Sequence, residues 1–149
     1  MLARALITAI AAALLVTACA GDPSSLDGSV SDFYPLGFSE VRARLYSSEL
    51  AIEYVSASGE AVVRLTVRRD ERDPTGPTTV DLGAVGDVTG SSNGAELPPF
   101  ASGTLNLDSY RPREGAYVAG TFEALLYAGT TAITLHGAFD ARLDVVEGL

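Results

Sequence analysis

The 149-residue chain sets ten basic residues, all of them arginine, against 19 aspartates and glutamates, with one histidine, one cysteine and no tryptophan. A formal charge of −9 argues against nucleic acid, and against an anionic membrane surface, as partners held by charge, because both call for clustered positive charge. One cysteine leaves no partner for an intramolecular disulfide and one histidine cannot build a multi-histidine metal site, so the fold must be held by packing.

In chain order, a short positive stretch ending at Arg4 is followed by 14 apolar residues, 5–18, and these close on Val16-Thr17-Ala18-Cys19. The run is apolar on every face, so it lacks the stripe that would dock a core helix. It is also short of the roughly 20 residues needed to cross about 30 Å of hydrocarbon. Small residues before a lone thiol resemble the lipobox of bacterial lipoproteins, with Val16 at the position where leucine is preferred. The resemblance implies that residues 1–18 are a signal peptide. The peptidase would recognise Val16, Thr17 and Ala18 and cut before Cys19, whose thiol accepts a diacylglycerol as a thioether. Two or more acyl chains, at about 0.8 kcal/mol per buried CH₂, anchor a protein stably where one does not. The expected mature chain has 131 residues and nine arginines against 19 carboxylates, enough length for one domain with its own core.

Residues 19–31 are rich in Gly, Asp, Ser and Pro and are predicted to be a lipidated flexible tether, with Gly21, Pro23 and Gly28 breaking any strand pattern. A single β domain is expected over 32–149, starting at Phe33, Tyr34, Leu36 and Phe38. Alternation at Val41, Ala43 and Leu45 predicts a strand near 40–46. A hairpin is predicted from 50–56 and 61–68, turning at Ser58-Gly59 with Val63, Leu65 and Val67 inward. Further strands are expected at 79–82 and 103–108, and Gly, Ser, Asn and Pro make 83–100 a long loop.

The clearest period-two signal comes last. Val118, Gly120, Phe122, Ala124 and Leu126 alternate with polar neighbours. So do Ile133, Leu135, Gly137, Phe139, Ala141, Leu143 and Val145, against Thr134, His136, Asp140, Arg142 and Asp144 on the other face. Ala128-Gly129-Thr130 is the predicted turn. The stretch Gly120-Thr121-Phe122-Glu123-Ala124 is echoed by Gly137-Ala138-Phe139-Asp140-Ala141, 17 residues later. A glycine leaves room on the inner face that a phenylalanine can fill. The pattern predicts an all-β fold of about seven strands, an antiparallel sandwich or barrel-like sheet.

The succession Val41-Arg42-Ala43, Leu50-Ala51-Ile52, Val63-Arg64-Leu65, Gly103-Thr104-Leu105-Asn106-Leu107, Val118-Ala119-Gly120-Thr121-Phe122 and Gly137-Ala138-Phe139 resembles small secreted bacterial lipoprotein β-domains of unknown function, over residues 38–143. The resemblance implies fold and export. No catalytic residue is carried over from it, and Ala124 and Ala141 stand where larger residues are common in that group.

Tested for chemistry, the chain offers little. His136 falls on an outward face, where a solvent-facing residue outweighs a general base. No Gly-x-Ser-x-Gly elbow and no phosphate loop occur. Asp70, Glu71 and Asp73 in a turn are neutralised by Arg68, Arg69 and Arg72, and Asp81 and Asp87 give an equally weak metal signal. We therefore expect no catalytic residue, no metal and no cofactor. The expected protein is a cell-envelope lipoprotein, tethered to a membrane by its lipid, with a non-enzymatic binding domain for an envelope protein or a small apolar ligand. The alternatives are a carrier of lipid or another hydrophobic ligand and, less favoured, an envelope hydrolase. Ala20 in place of an acidic residue after the cysteine favours the outer membrane where the cell has one. Loop 83–100 and the tip 70–76 are the surfaces nominated for binding.

Overall fold

The alternation at 118–145 becomes two long strands, β10 (Tyr117–Ala128) and β11 (Thr131–Val145), paired antiparallel from Tyr117↔Arg142 to Ala128↔Thr131. Gly129, at φ 63°, makes the turn where a side chain would be strained. A computed structural model describes residues 24–69 and 75–146. Before the hairpin come β1 (Ser25–Asp27), a 3-10 turn (Ser29–Asp32), β2 (Glu40–Leu45), β3 (Glu49–Val55), β4 (Ala61–Arg68) and β5 (Thr78–Asp81). They are followed by α1 (Leu82–Val85), β6 (Gly86–Thr89), the two-residue β7 (Ser91–Ser92) and β8 (Ala95–Glu96), and β9 (Phe100–Ser109).

Eight of these strands form one nearly closed sheet in the order β5-β9-β10-β11-β2-β3-β4-β6. The all-β, barrel-like expectation holds, with two changes of detail. The sheet is mixed, because β11 and β2 run parallel through Leu143↔Ala43 and Val145↔Leu45. The strands also outnumber the seven expected, since 83–100 is not a plain loop. Its first residues complete the single helical turn α1, capped by Asp81 Oδ1, which accepts from Gly83 N, and β6 then pairs with β4. The two ends of the strand order, β5 and β6, are thus consecutive in the chain. Leu82, fully buried, plugs the seam between them, and Arg68 Nη2 donates to Ala84 O. Four residues of helix suffice because the barrel needs only a jog from β9 to β4.

A third change concerns the tether. Residues 24–31 are ordered: β1 pairs with the edge of β11 beside β2, through Ser25↔Ala138, Leu26↔Gly137 and Asp27↔His136. Gly28, read as a break, is what lets the segment work. At φ 130° it turns the chain off β11, and any Cβ there would collide with the Thr134 carbonyl. The 3-10 turn then covers one end of the barrel, with Val30 buried and Tyr34 Oη donating to Val62 O at 2.7 Å. We call this the upper end. The lower end is where β2, β4, β9 and β11 finish and β3 and β10 begin.

The interior is filled. Phe122, Phe139, Tyr54, Leu105, Leu126, Leu135 and Leu65 are each no more than 2% exposed. The repeated Gly-x-Phe pattern explains the fit, because the antiparallel register places Gly120 opposite Phe139 and Phe122 opposite Gly137. Each ring occupies the space over the other strand's glycine. A Cβ on Gly137 would lie 2.7 Å from Phe122 Cε1, and one on Gly120 would lie 3.1 Å from Phe139 Cζ. Tyr54 stacks edge-on against Phe38 at 5.1 Å and donates from Oη to Ala138 O at 2.6 Å, satisfying a buried hydroxyl.

Candidate functional site

Register across five strands sets one row of side chains on the outside of the barrel. Asp81 faces Thr104, Thr104 faces Glu123, Glu123 faces His136, and His136 faces Asp27. Strands about 4.8 Å apart spread the row over roughly 19 Å. A second row, Ser102-Leu125-Thr134, runs beside it. Where β9 skips a residue at Ala101, pairing Ser102 with Leu125 and Phe100 with Leu126, the strand bends. The two rows line an open depression of about 560 Å³, formed by Asp81, Ser102, Thr104, Glu123, Leu125, Thr134 and His136. Among the described residues, no arginine lines it.

The opposite wall of the barrel is balanced. On β2, β3 and β4 the row Arg42-Glu53-Arg64 is in register, and Glu53, only 8% exposed, lies 3.6 Å from Arg64 and 3.8 Å from Arg44. Arg64 also binds Glu49 at 2.7 Å, and Arg42 pairs with Glu40. Positive and negative charges there satisfy each other, whereas the depression is lined by carboxylates and an imidazole. That asymmetry is what singles out the outer face of β5, β9, β10, β11 and β1.

His136 is half exposed, as its outward position required, and its Nε2 stands 3.8 Å from Asp27 Oδ2. Among the described residues it bonds to no hydroxyl. Thr134 Oγ1 is turned instead to Ser29 Oγ at 3.3 Å, fastening the 3-10 turn to β11. Among the described residues, no three His, Cys, Asp or Glu side chains come close enough to hold a metal ion. Asp81 and Asp87, weighed together as acidic ligands, are separated. Asp81 caps α1 at the edge of the depression, while Asp87 Oδ1 accepts from Val88 N and lines a smaller hollow with Thr66 and Arg68.

Val16, Thr17, Ala18 and Cys19 lie outside the described residues, as do 70–74 of the acidic tip. Of the nominated surfaces, 83–100 contributes α1 and β6 to the barrel, and its β7–β8 hairpin packs against β4, with Ser92 buried and Asn93 N donating to Glu60 Oε2. Asp27 is not visible as a site residue in the sequence because the Gly, Pro and Ser around it have the composition of a tether. Glu123 was passed over because nothing in the linear sequence ties it to Asp81, 42 positions away. Only strand order brings them together. Comparison with family models, with curated proteins and with solved structures returns no match.

Proposed function

We propose that the chain is a lipid-anchored cell-envelope protein, acylated on Cys19 after cleavage behind Ala18, whose barrel is a non-enzymatic binding domain. Its ligand surface is the acidic outer face, and the partner is a cationic, extended segment of an envelope protein. The observation that carries this reading is the contrast between a filled interior and a charged, open exterior: Phe122 and Phe139 occupy the space over Gly137 and Gly120. The same filling argues against a carrier of lipid or another apolar ligand, which needs an internal cavity. No helix among the described residues is long and apolar enough to cross a membrane; the attachment in this reading is the lipid on Cys19. With Ala20 following the cysteine, the outer membrane is the proposed location where the cell has one.

The test titrates detergent-solubilised full-length protein into a fluorescent peptide of alternating arginine and threonine, with a glutamate counterpart as control. Saturable binding of the cationic peptide is expected. Removing two charges with Asp81→Asn and Glu123→Gln should weaken it about tenfold, since exposed charge contacts each contribute up to about 1 kcal/mol. Equal binding of both peptides, or an unchanged affinity in the double variant, would contradict the assignment.

A further inference from the structure

The barrel sorts its arginines by end. The upper connections, residues 28–39, 56–60, 90–99 and 129–130, contain no arginine and carry Asp32, Glu60 and Glu96. Arg44, Arg68, Arg69, Arg111, Arg113 and Arg142 all lie towards the lower end. Asp70, Glu71, Arg72 and Asp73, between β4 and β5, lie outside the described residues. The sharper patch is therefore the turn between β9 and β10, folded back onto β11. Arg142 lies 4.1 Å over the ring of Tyr117, donates to Tyr117 Oη at 2.9 Å and to Gly115 O at 3.0 Å, and Tyr117 is 53% exposed. Arg111 and Arg113 stand exposed on the same turn and form no ion pair among the described residues. Asp108, Glu114 and Asp144 lie at the same end, Glu114 Oε2 accepting from Val145 N at 2.6 Å, but among the described residues none of them pairs with Arg111 or Arg113.

The exit of the chain fixes which end this patch faces. Ser24, the first described residue, accepts through Oγ from Asp140 N, so the described chain begins beside the lower half of β11. From Ser24 back to Cys19 is five residues, a reach of at most about 18 Å. From Asp140 down to Val145 is about 17 Å of strand, whereas up to Thr131 is about 30 Å. A lipid on Cys19 thus reaches the level of the lower end and cannot reach the upper one.

We propose that the Arg111-Arg113-Arg142-Tyr117 patch is a docking surface for anionic phospholipid headgroups, which seats the barrel lower end down on the bilayer and turns its arginine-free end away. This rests on the reading of Cys19 as acylated. Net charge hid it, because the upper connections and the outer face of β5, β9 and β10 carry carboxylates with no arginine among the described residues there. Each arginine near an anionic surface favours the seated orientation by about fivefold, and an interfacial tyrosine suits the headgroup zone.

The test reconstitutes acylated full-length protein in phosphatidylcholine vesicles with and without phosphatidylglycerol. A fluorophore is placed on Ser109→Cys at the lower end or on Thr130→Cys at the upper end, and quenching by a headgroup nitroxide lipid is measured. The mass of the N-terminal peptide is taken on the same samples. Stronger quenching at position 109 than at 130 is expected, increased by phosphatidylglycerol and reduced several-fold by Arg111→Glu with Arg113→Glu. Equal quenching at the two sites, or stronger quenching at 130, in protein whose Cys19 carries acyl mass would overturn the docking surface alone. An unmodified Cys19 would overturn the anchor and the docking surface together.

Discussion

Replacing Gly137 with alanine is expected to lower the unfolding free energy by about 3 kcal/mol, the upper part of the usual cost of forcing a methyl group into a packed core. The new methyl would sit 2.5 Å from Ser25 O, 2.7 Å from Phe122 Cε1 and 3.0 Å from Tyr54 Oη, so backbone, ring and hydroxyl would all have to move. Against a total stability of about 5–15 kcal/mol for a domain, that is a large fraction. Urea denaturation should show a lower midpoint with an unchanged slope. Phe122→Leu in the Gly137→Ala background should recover part of the loss, because it shortens the side chain over position 137. Phe139→Leu should recover none of it, because Phe139 lies over Gly120. A Gly137→Ala protein as stable as its parent would mean that the two glycines do not hold the rings as described.

High pH is expected to unfold the barrel through two tyrosines. Burial pushes the Tyr54 hydroxyl well above the ordinary tyrosine range. Tyr34 is raised by burial first, and then by the Glu96 and Glu60 carboxylates. In the folded state both stay neutral, while in the unfolded chain they ionise near pH 10. The stability they confer is therefore complete below about pH 10 and is lost as the pH rises towards their folded values. Each raised tyrosine removes up to about 1.4 kcal/mol per pH unit in that window. Melting temperatures taken from pH 8 upward should fall steeply beyond about pH 10. The slope should flatten in a Tyr34→Phe, Tyr54→Phe variant even though that protein starts less stable, having lost two buried hydrogen bonds. An equally steep fall in the variant would place the alkaline sensitivity elsewhere.

Alternation made the β10–β11 hairpin legible to the residue, because both strands bury one face and expose the other: Ile133, Leu135, Phe139 and Leu143 are all within 2% of full burial. The β3–β4 hairpin was equally plain, with Gly59 in its turn at φ 92°. Short elements were not legible. In β1 three residues pair with β11, and their pattern is exposed, half-buried, exposed, which carries no period. The β5–α1–β6 seam hid for a related reason: glycines at 83 and 86 read as loop, although a Cβ on Gly86 would lie 2.5 Å from Thr66 O, a close strand approach. The parallel contact between β11 and β2 joins residues about 100 positions apart in sequence and leaves no local mark. The acidic row failed to appear for the same reason. His136 was placed on the outer face, but its neighbours Glu123 and Asp27 follow from register, and register follows from the order of strands.

Acylation of Cys19 underlies the proposed anchor, the proposed location and the proposed seating of the barrel alike. The most direct measurement is mass spectrometry of the N-terminal peptide of protein taken from native membranes, beside a Cys19→Ala control. The expected result is a mature chain beginning at Cys19 with diacylglycerol mass on its sulfur, and a control that is neither cleaved behind Ala18 nor acylated. An unmodified cysteine in a chain that retains residues 1–18 would contradict the account.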